Sequence, residues 1–319
     1  MELPVAEEVL VCDFSKNTRV TFALAEPGRR PTEAATFTCT SRIEFDRALT
    51  DFLTSHGNPQ LKGAAVSARR FEENGRLHRL EDGLEITRED LRATLDIQRV
   101  NLVNCFVARA LAIPKLRRNE RISVCEGEAG EETVTLVLGP NYGLGNAALL
   151  SDGAGGWTAL PGEGGHSSLA AKTEREWQVI CGLRDLRGAV VRETAMSQQG
   201  FRDLWAILHA LDDRTAPDLS PVEIIERAHA GDPFAREAIT LITLWLADMA
   251  ADIALIMSAT SGIYLAGALM DIIGDAFDAD AFAARFTENP AFSRFLGRIP
   301  VWRTTVTDME LIGLATLFD

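Results

Sequence analysis

The stretch Leu160-Pro161-Gly162-Glu163-Gly164-Gly165-His166 sets a carboxylate and an imidazole three residues apart among glycines, and it is the most specific segment of the chain. A carboxylate accepts hydrogen bonds through both oxygens, while a neutral imidazole donates one and accepts one. Together they suit a ligand rich in hydroxyl groups. Glu193 and Asn104 offer the same chemistry elsewhere in the chain. Each has a plain alternative: an isolated glutamate on a helix reads as a solvated acid, and a lone histidine as a satisfied structural one. Cys105 also stands out, because it opens a helix directly after a strand. A helix N-terminus there stabilises a thiolate and makes it reactive; the alternative is a small, inert core residue.

These residues need a scaffold. Val9 to Asp13 is an apolar run ending in an acid, and Arg19 to Leu24 follows a polar turn, which predicts a hairpin opening a sheet. Ala34 to Cys39 reads as a third strand and Ile43 to Leu53 as a helix by its apolar spacing. Gly63 to Ala68 and Val100 to Val103 are further strands, Thr87 to Leu95 is a helix with a capping start, and Phe106 to Ile113 is a helix stopped by Pro114. A second unit on a similar plan begins with Thr133 to Gly139, a glycine turn at Gly143 to Gly145 and a returning strand from Asn146 to Leu150. Helices then dominate: Glu174 to Leu186, Gln198 to Leu211, Pro221 to Ala230 and Pro233 to about Ser258. Ile263 to Ala266 and Ile299 to Val306 are the last strands, and a helix closes the chain.

The glycine-rich segment resembles the sugar-binding loop of bacterial ATP-dependent glucokinases, and further stretches fall in that family's order: Ile113-Pro114, Gly143-Leu144-Gly145, Arg192-Glu193 with Ser197 and Gly200, and Tyr264-Leu265-Ala266-Gly267. The resemblance covers nearly the whole chain. It implies an α/β, ribonuclease-H-like fold of the actin and hexokinase type, with two domains, glucose or a related hexose in the cleft between them, and ATP with Mg2+ beside it. By the same resemblance Asn104, Glu163, His166 and Glu193 are sugar-contacting positions, and Asp13, Lys16, Gly143, Gly145 and Gly267 lie on the nucleotide side. Two copies pairing as a homodimer is a further implication. The expected division is residues 1–104, completed by 309–319, and residues 105–308.

Three motifs depart from the family pattern. The first phosphate turn, D-x-G-G-T-N in the family, is Asp13-Phe14-Ser15-Lys16-Asn17-Thr18 here. Positive-φ positions lose their glycines and side chains enter, although Lys16 brings a compensating charge. In the second turn Tyr142 replaces a small hydroxyl residue. The catalytic aspartate of the family's N-D-F is replaced in Asn104-Cys105-Phe106, and a thiol is mostly protonated at neutral pH. Three readings follow: an ATP-dependent hexose kinase using a relocated base or none, a sugar-binding pseudokinase that senses or regulates, and a structural subunit of a true kinase.

Composition narrows the classes. The chain has 319 residues, 46% apolar and 24% charged, which suits a folded two-domain protein. A net charge of -14 excludes a sequence-independent nucleic-acid binder, whose affinity rests on cations. Apolar stretches such as Ile253 to Met257 and Leu311 to Phe318 read as too short for a bilayer, and no signal peptide is evident, so a cytoplasmic location is expected. The five cysteines are scattered singly, which indicates neither a disulfide framework nor a metal knuckle and suits a reducing compartment.

Overall fold

A computed structural model describes residues 8–70, 72–79, 83–130 and 134–319. The chain up to Arg117, together with Asp308–Asp319, forms one compact unit, and Arg118–Thr307 forms a second.

In the first unit, β1 (Glu8–Asp13), β2 (Arg19–Ala25) and β3 (Ala34–Thr38) make an antiparallel meander, followed by α1 (Arg42–Ser55). β4 (Leu61–Ala68) runs parallel to β1. A small hairpin of β5 (Arg76–His78) and β6 (Glu85–Thr87) leads into α2 (Arg88–Leu95), whose expected cap is present, Thr87 accepting from the Asp90 backbone N–H. β7 (Arg99–Asn104) lies parallel to β4 and passes straight into α3 (Cys105–Ala112), giving the sheet order β3-β2-β1-β4-β7. Both faces are covered, so β1 is apolar from Val9 to Cys12 but divides by parity. Leu10 and Cys12 join the core with Phe22, Phe45 and Phe52, whereas Val9 and Val11 join Ala108, Leu311 and Leu314.

The second unit holds β8 (Arg121–Cys125), β9 (Val134–Pro140), β10 (Leu144–Ser151) and β11 (Trp157–Gly162), then the helices α4 (Glu174–Arg187), α5 (Arg192–Ala195), α6 (Gln198–Leu211), α7 (Pro221–His229) and α8 (Pro233–Met257). β12 (Gly262–Leu265), α9 (Ala268–Ile273), α10 (Ala279–Phe286), α11 (Ser293–Leu296) and β13 (Val301–Thr304) complete it. Its sheet order is β11-β10-β9-β12-β13-β8. The first five strands repeat the order and directions of the first unit's sheet, so the two units share one plan.

The last helix, α12 (Met309–Ala315), packs on α3 within the first unit. Gly313 permits this contact, since a Cβ there would come 1.7 Å from the Ala108 carbonyl oxygen. Because α3 belongs to this packing, the boundary falls after Arg117 and not at Asn104.

Three differences from the sequence reading have physical causes. β8 and β11 were not foreseen: both are largely exposed and lack an apolar alternation, and Pro161 is tolerated because β11 is an edge strand. β10 starts at Leu144, so Gly145 lies in a strand; Thr133, the expected start of β9, lies outside the described residues. Helix α8 is long and apolar enough to cross a membrane, contrary to the sequence reading. However, 67% of its apolar stretch is buried inside the protein, where Ile239, Ile242, Trp245, Leu246 and Met249 fill the second unit's core.

Candidate functional site

In the second unit the sugar-type motif is a loop leaving the edge strand β11. Asn146 on β10 pins it, its side-chain oxygen accepting from the Gly164 N–H at 2.8 Å. The glycines serve close approach, because none of Gly162, Gly164 and Gly165 has a positive φ. A Cβ on Gly162 would meet the Asn146 amide at 2.2 Å, and one on Gly165 would meet the Leu144 carbonyl oxygen at 2.2 Å. The backbone therefore folds tightly and turns its two polar side chains outward. Glu163 and His166 have side chains 52% and 59% exposed, with Oε2 and Nε2 3.6 Å apart.

Glu193, on α5, is tied to the same place. Its Oε2 accepts from the Leu144 N–H at 2.8 Å and fills the space a side chain at residue 143 would need, 2.3 Å from where a Cβ would sit. Gly143 thus makes room for Glu193. The loop is joined to the start of α5 as well, the Arg192 N–H donating to the Ser167 carbonyl at 2.9 Å. Glu163, His166, Glu193, Gly143 and Gly145 are brought together; Asn146 is the member that sequence reasoning missed. Gly139 and Gly267 lie at the ends of β9 and β12, both at positive φ, and a Cβ on Gly267 would come 2.3 Å from the Pro140 carbonyl oxygen. Ser197 and Gly200 form a helix cap, the serine oxygen accepting from the Gly200 N–H.

In the first unit, the carboxyl ends of β1, β4 and β7 lie side by side, Asp13 opposite Ser67 and Ala68 opposite Asn104. Asp13 is buried, and its Oδ1 accepts from the Ser15 N–H at 3.0 Å and the Ser67 hydroxyl at 3.1 Å. Its Oδ2 has no hydrogen-bond partner, although Lys16 Nζ lies 3.7 Å away. Lys16 also reaches Asp308 at 3.4 Å. Burial pulls the Lys16 ammonium down, but Asp13, Glu310 and Asp308 outweigh it and hold the group above its ordinary range. The strained residue of this turn is Thr18, at φ 51°, and not Ser15 or Lys16, so the missing glycines were not needed for left-handed backbone. Buried Arg79 clamps the turn, donating to the carbonyls of Lys16, Arg19 and Cys39 and lying over the Phe14 ring.

Asn104 is partly committed to structure. Its Oδ1 caps α3 by accepting from the Phe106 N–H at 2.7 Å, and its Nδ2 donates to the Arg69 carbonyl at 2.9 Å. Cys105 beside it is 2% exposed, and burial pushes its thiol up to about 12, against the lowering pull of Arg109. The helix start does not yield a thiolate, so the reactive reading is set aside. Nearby lies a group that sequence reasoning passed over. Glu310 on α12 is 1% exposed and accepts from Arg109 Nε at 2.8 Å and Nη2 at 2.7 Å through Oε1, while Oε2 has no hydrogen-bond partner.

A family model described as Glucokinase matches residues 14–319. A glucokinase-like protein of Caulobacter vibrioides is 35% identical over 297 residues, covering 93% of this chain and 92% of its own. The glucokinase of Paramagnetospirillum magneticum is 30% identical over 315 residues, with 98% of each chain covered. Among solved structures, a glucokinase from an Antarctic psychrotroph superposes with a TM-score of 0.84 at 25% identity, covering 98% of each chain.

Proposed function

This chain belongs to the glucokinase family, with the two-unit actin- and hexokinase-like fold that its sequence led us to expect, and from that premise we propose that it binds glucose or a close hexose and phosphorylates it with ATP. The observation that carries the reading is the pinned loop that turns Glu163 and His166 outward from a rigid backbone. A hexose presents hydroxyl groups that each donate and accept, and a fixed carboxylate next to an imidazole answers both. Glu193 supports the reading because only Oε2 is taken by Leu144, leaving Oε1 for a hydroxyl.

The residues present also fit a triphosphate carrying Mg2+. Asp13 Oδ2, buried and without a hydrogen bond, faces Lys16 at 3.7 Å, and the pair would offer a carboxylate oxygen to Mg2+ and an ammonium to phosphate oxygens. Bound there, the triphosphate supplies the phosphoryl group; the protein's share is to orient the sugar and to take its proton. A second reading, sugar binding without turnover, is favoured by the neutral thiol at Cys105. Pairing of two copies and a cytoplasmic location complete the proposal.

Calorimetry with glucose, then with ATP and Mg2+, followed by a coupled assay for sugar phosphate, separates the readings. Nucleotide heat with turnover supports the kinase, sugar binding alone supports the sensor, and no sugar binding at all overturns both. Glu163→Gln is expected to weaken glucose binding about 10- to 100-fold, as hydrogen bonds to a charged acceptor are lost. An unchanged affinity would remove Glu163 from the site. Asn146→Ala is expected to act through the loop, lowering glucose affinity about 10-fold with a loss of about 1 kcal/mol in unfolding free energy. Affinity that holds while stability falls would restrict Asn146 to the fold.

A further inference from the structure

Within the kinase reading we infer that Glu310 is the carboxylate that accepts the proton of the attacking sugar hydroxyl, doing from α12 what Cys105 cannot do from α3. Cys105, at the position where the resembled family carries its base, is a buried neutral thiol at the carboxyl ends of β1, β4 and β7. The carboxylates in that cluster are not equivalent. Asp13 closes its own turn through Oδ1 and faces Lys16 with Oδ2, and Asp308 is half-exposed and bound to Lys16. Glu310 differs: Arg109 fixes Oε1 in a two-pronged ion pair, which leaves Oε2 rigidly placed and without a partner inside the protein.

The helix packing sets this position. Gly313 brings α12 against Ala108 and Ala112, so residue 310, one turn earlier, falls beside Arg109 and near Cys105 at the start of α3. An unpartnered oxygen costs stability, so a buried carboxylate held this way needs a compensating use. The groups acting on Glu310 are Arg109 and Cys105 on α3, Asp13 on β1 and Lys16 in the turn, which is itself tied to Asp308. Burial raises its pKa, Arg109 opposes, Asp13 adds to the rise, and the outcome is a carboxyl above the ordinary glutamate range. A carboxyl raised in this way binds a proton more strongly than an exposed glutamate. In the transfer, the hydroxyl oxygen forms its bond to the γ-phosphorus while the bond from that phosphorus to the ADP oxygen breaks. The leaving electron pair stays on ADP, and the hydroxyl proton moves to Glu310 Oε2.

Glu310→Gln keeps the acceptor oxygen facing Arg109 and removes the base. Its kcat is expected to fall about 10²- to 10⁴-fold with glucose affinity retained. The parent's kcat should rise with pH through an acid limb above the ordinary glutamate range, as Glu310 loses its proton, and the variant should lack that limb. A readout without turnover is available too. Glucose binding measured in buffers of different ionisation enthalpy should release protons in the parent, since a hydroxyl donating to Oε2 favours the ionised form, and should release none in the variant. If the glutamine variant folds poorly, the parent's pH profile and proton release still decide. Cys105→Asp with Glu310→Gln should then regain turnover, because an acceptor is restored at the neighbouring position. An active parent whose glutamine variant works within about threefold, or whose profile is flat through the acid range, overturns the assignment and leaves the kinase reading intact. A parent that binds glucose but never turns over with ATP and Mg2+ overturns the kinase reading itself.

Discussion

In a Glu310→Gln background, Cys105→Asp is expected to raise kcat for glucose phosphorylation by about 10²-fold, measured as sugar phosphate formed under saturating glucose, ATP and Mg2+. The thiol it replaces is buried and pushed up to about 12, so it neither takes a proton near neutrality nor carries charge toward the sugar. A carboxylate fits the position in field. It would sit at the first position of α3, where the helix N-terminus favours negative charge, with Arg109 and Arg69 close enough to act on the present thiol. Asp13 opposes it, which keeps the new carboxyl from being too weak a base. The gain should also make Glu310 dispensable, so that Glu310→Gln costs little once Cys105→Asp is in place. An unchanged rate would place the obstacle in the turn after β1, where Ser15 and Lys16 stand in place of glycines.

How much of this was legible before the fold was known depended on where each signal lies. β1 and β2 were readable because both of their faces are buried, and β3 because its half-buried Ala35 and Phe37 alternate with exposed residues. β8 and β11 were not, because an exposed edge strand carries no alternation to read. The motif around Glu163 and His166 is local in sequence, so its glycines and polar residues announced themselves. Asn146 and Glu310 are single polar residues whose meaning comes from partners 18 and 201 positions away, Gly164 and Arg109. No window of sequence contains that information. The turn after β1 shows the opposite error. Losing two glycines suggested strained backbone at Ser15 and Lys16, but the chain places its one left-handed residue there at Thr18 and lets Asp13 and Arg79 hold the rest.

The largest stability effect is expected at Arg285. This side chain is 7% exposed on α10 and donates to Glu176 on α4 at 3.0 and 3.1 Å, and to Asp248 on α8 at 2.9 and 3.0 Å. Three helices are thus joined by a buried guanidinium where apolar contact would otherwise do the work. Arg285→Met removes the cation and leaves Glu176, 2% exposed, with only the Lys172 N–H and its helix cap beside it. Asp248 keeps Lys172 at 2.8 Å, so the loss concentrates on Glu176. Breaking one side of a buried pair costs about 3–5 kcal/mol, because a charge is left without compensation. Removing both is far cheaper, since an apolar or neutral pair of similar volume avoids the desolvation of either charge. Chemical denaturation of Arg285→Met, Glu176→Gln and the double variant should therefore show strong coupling, with the double variant recovering most of the loss. Additive losses would mean that Glu176 finds another partner when Arg285 is gone, and that the three helices are held by their apolar faces alone.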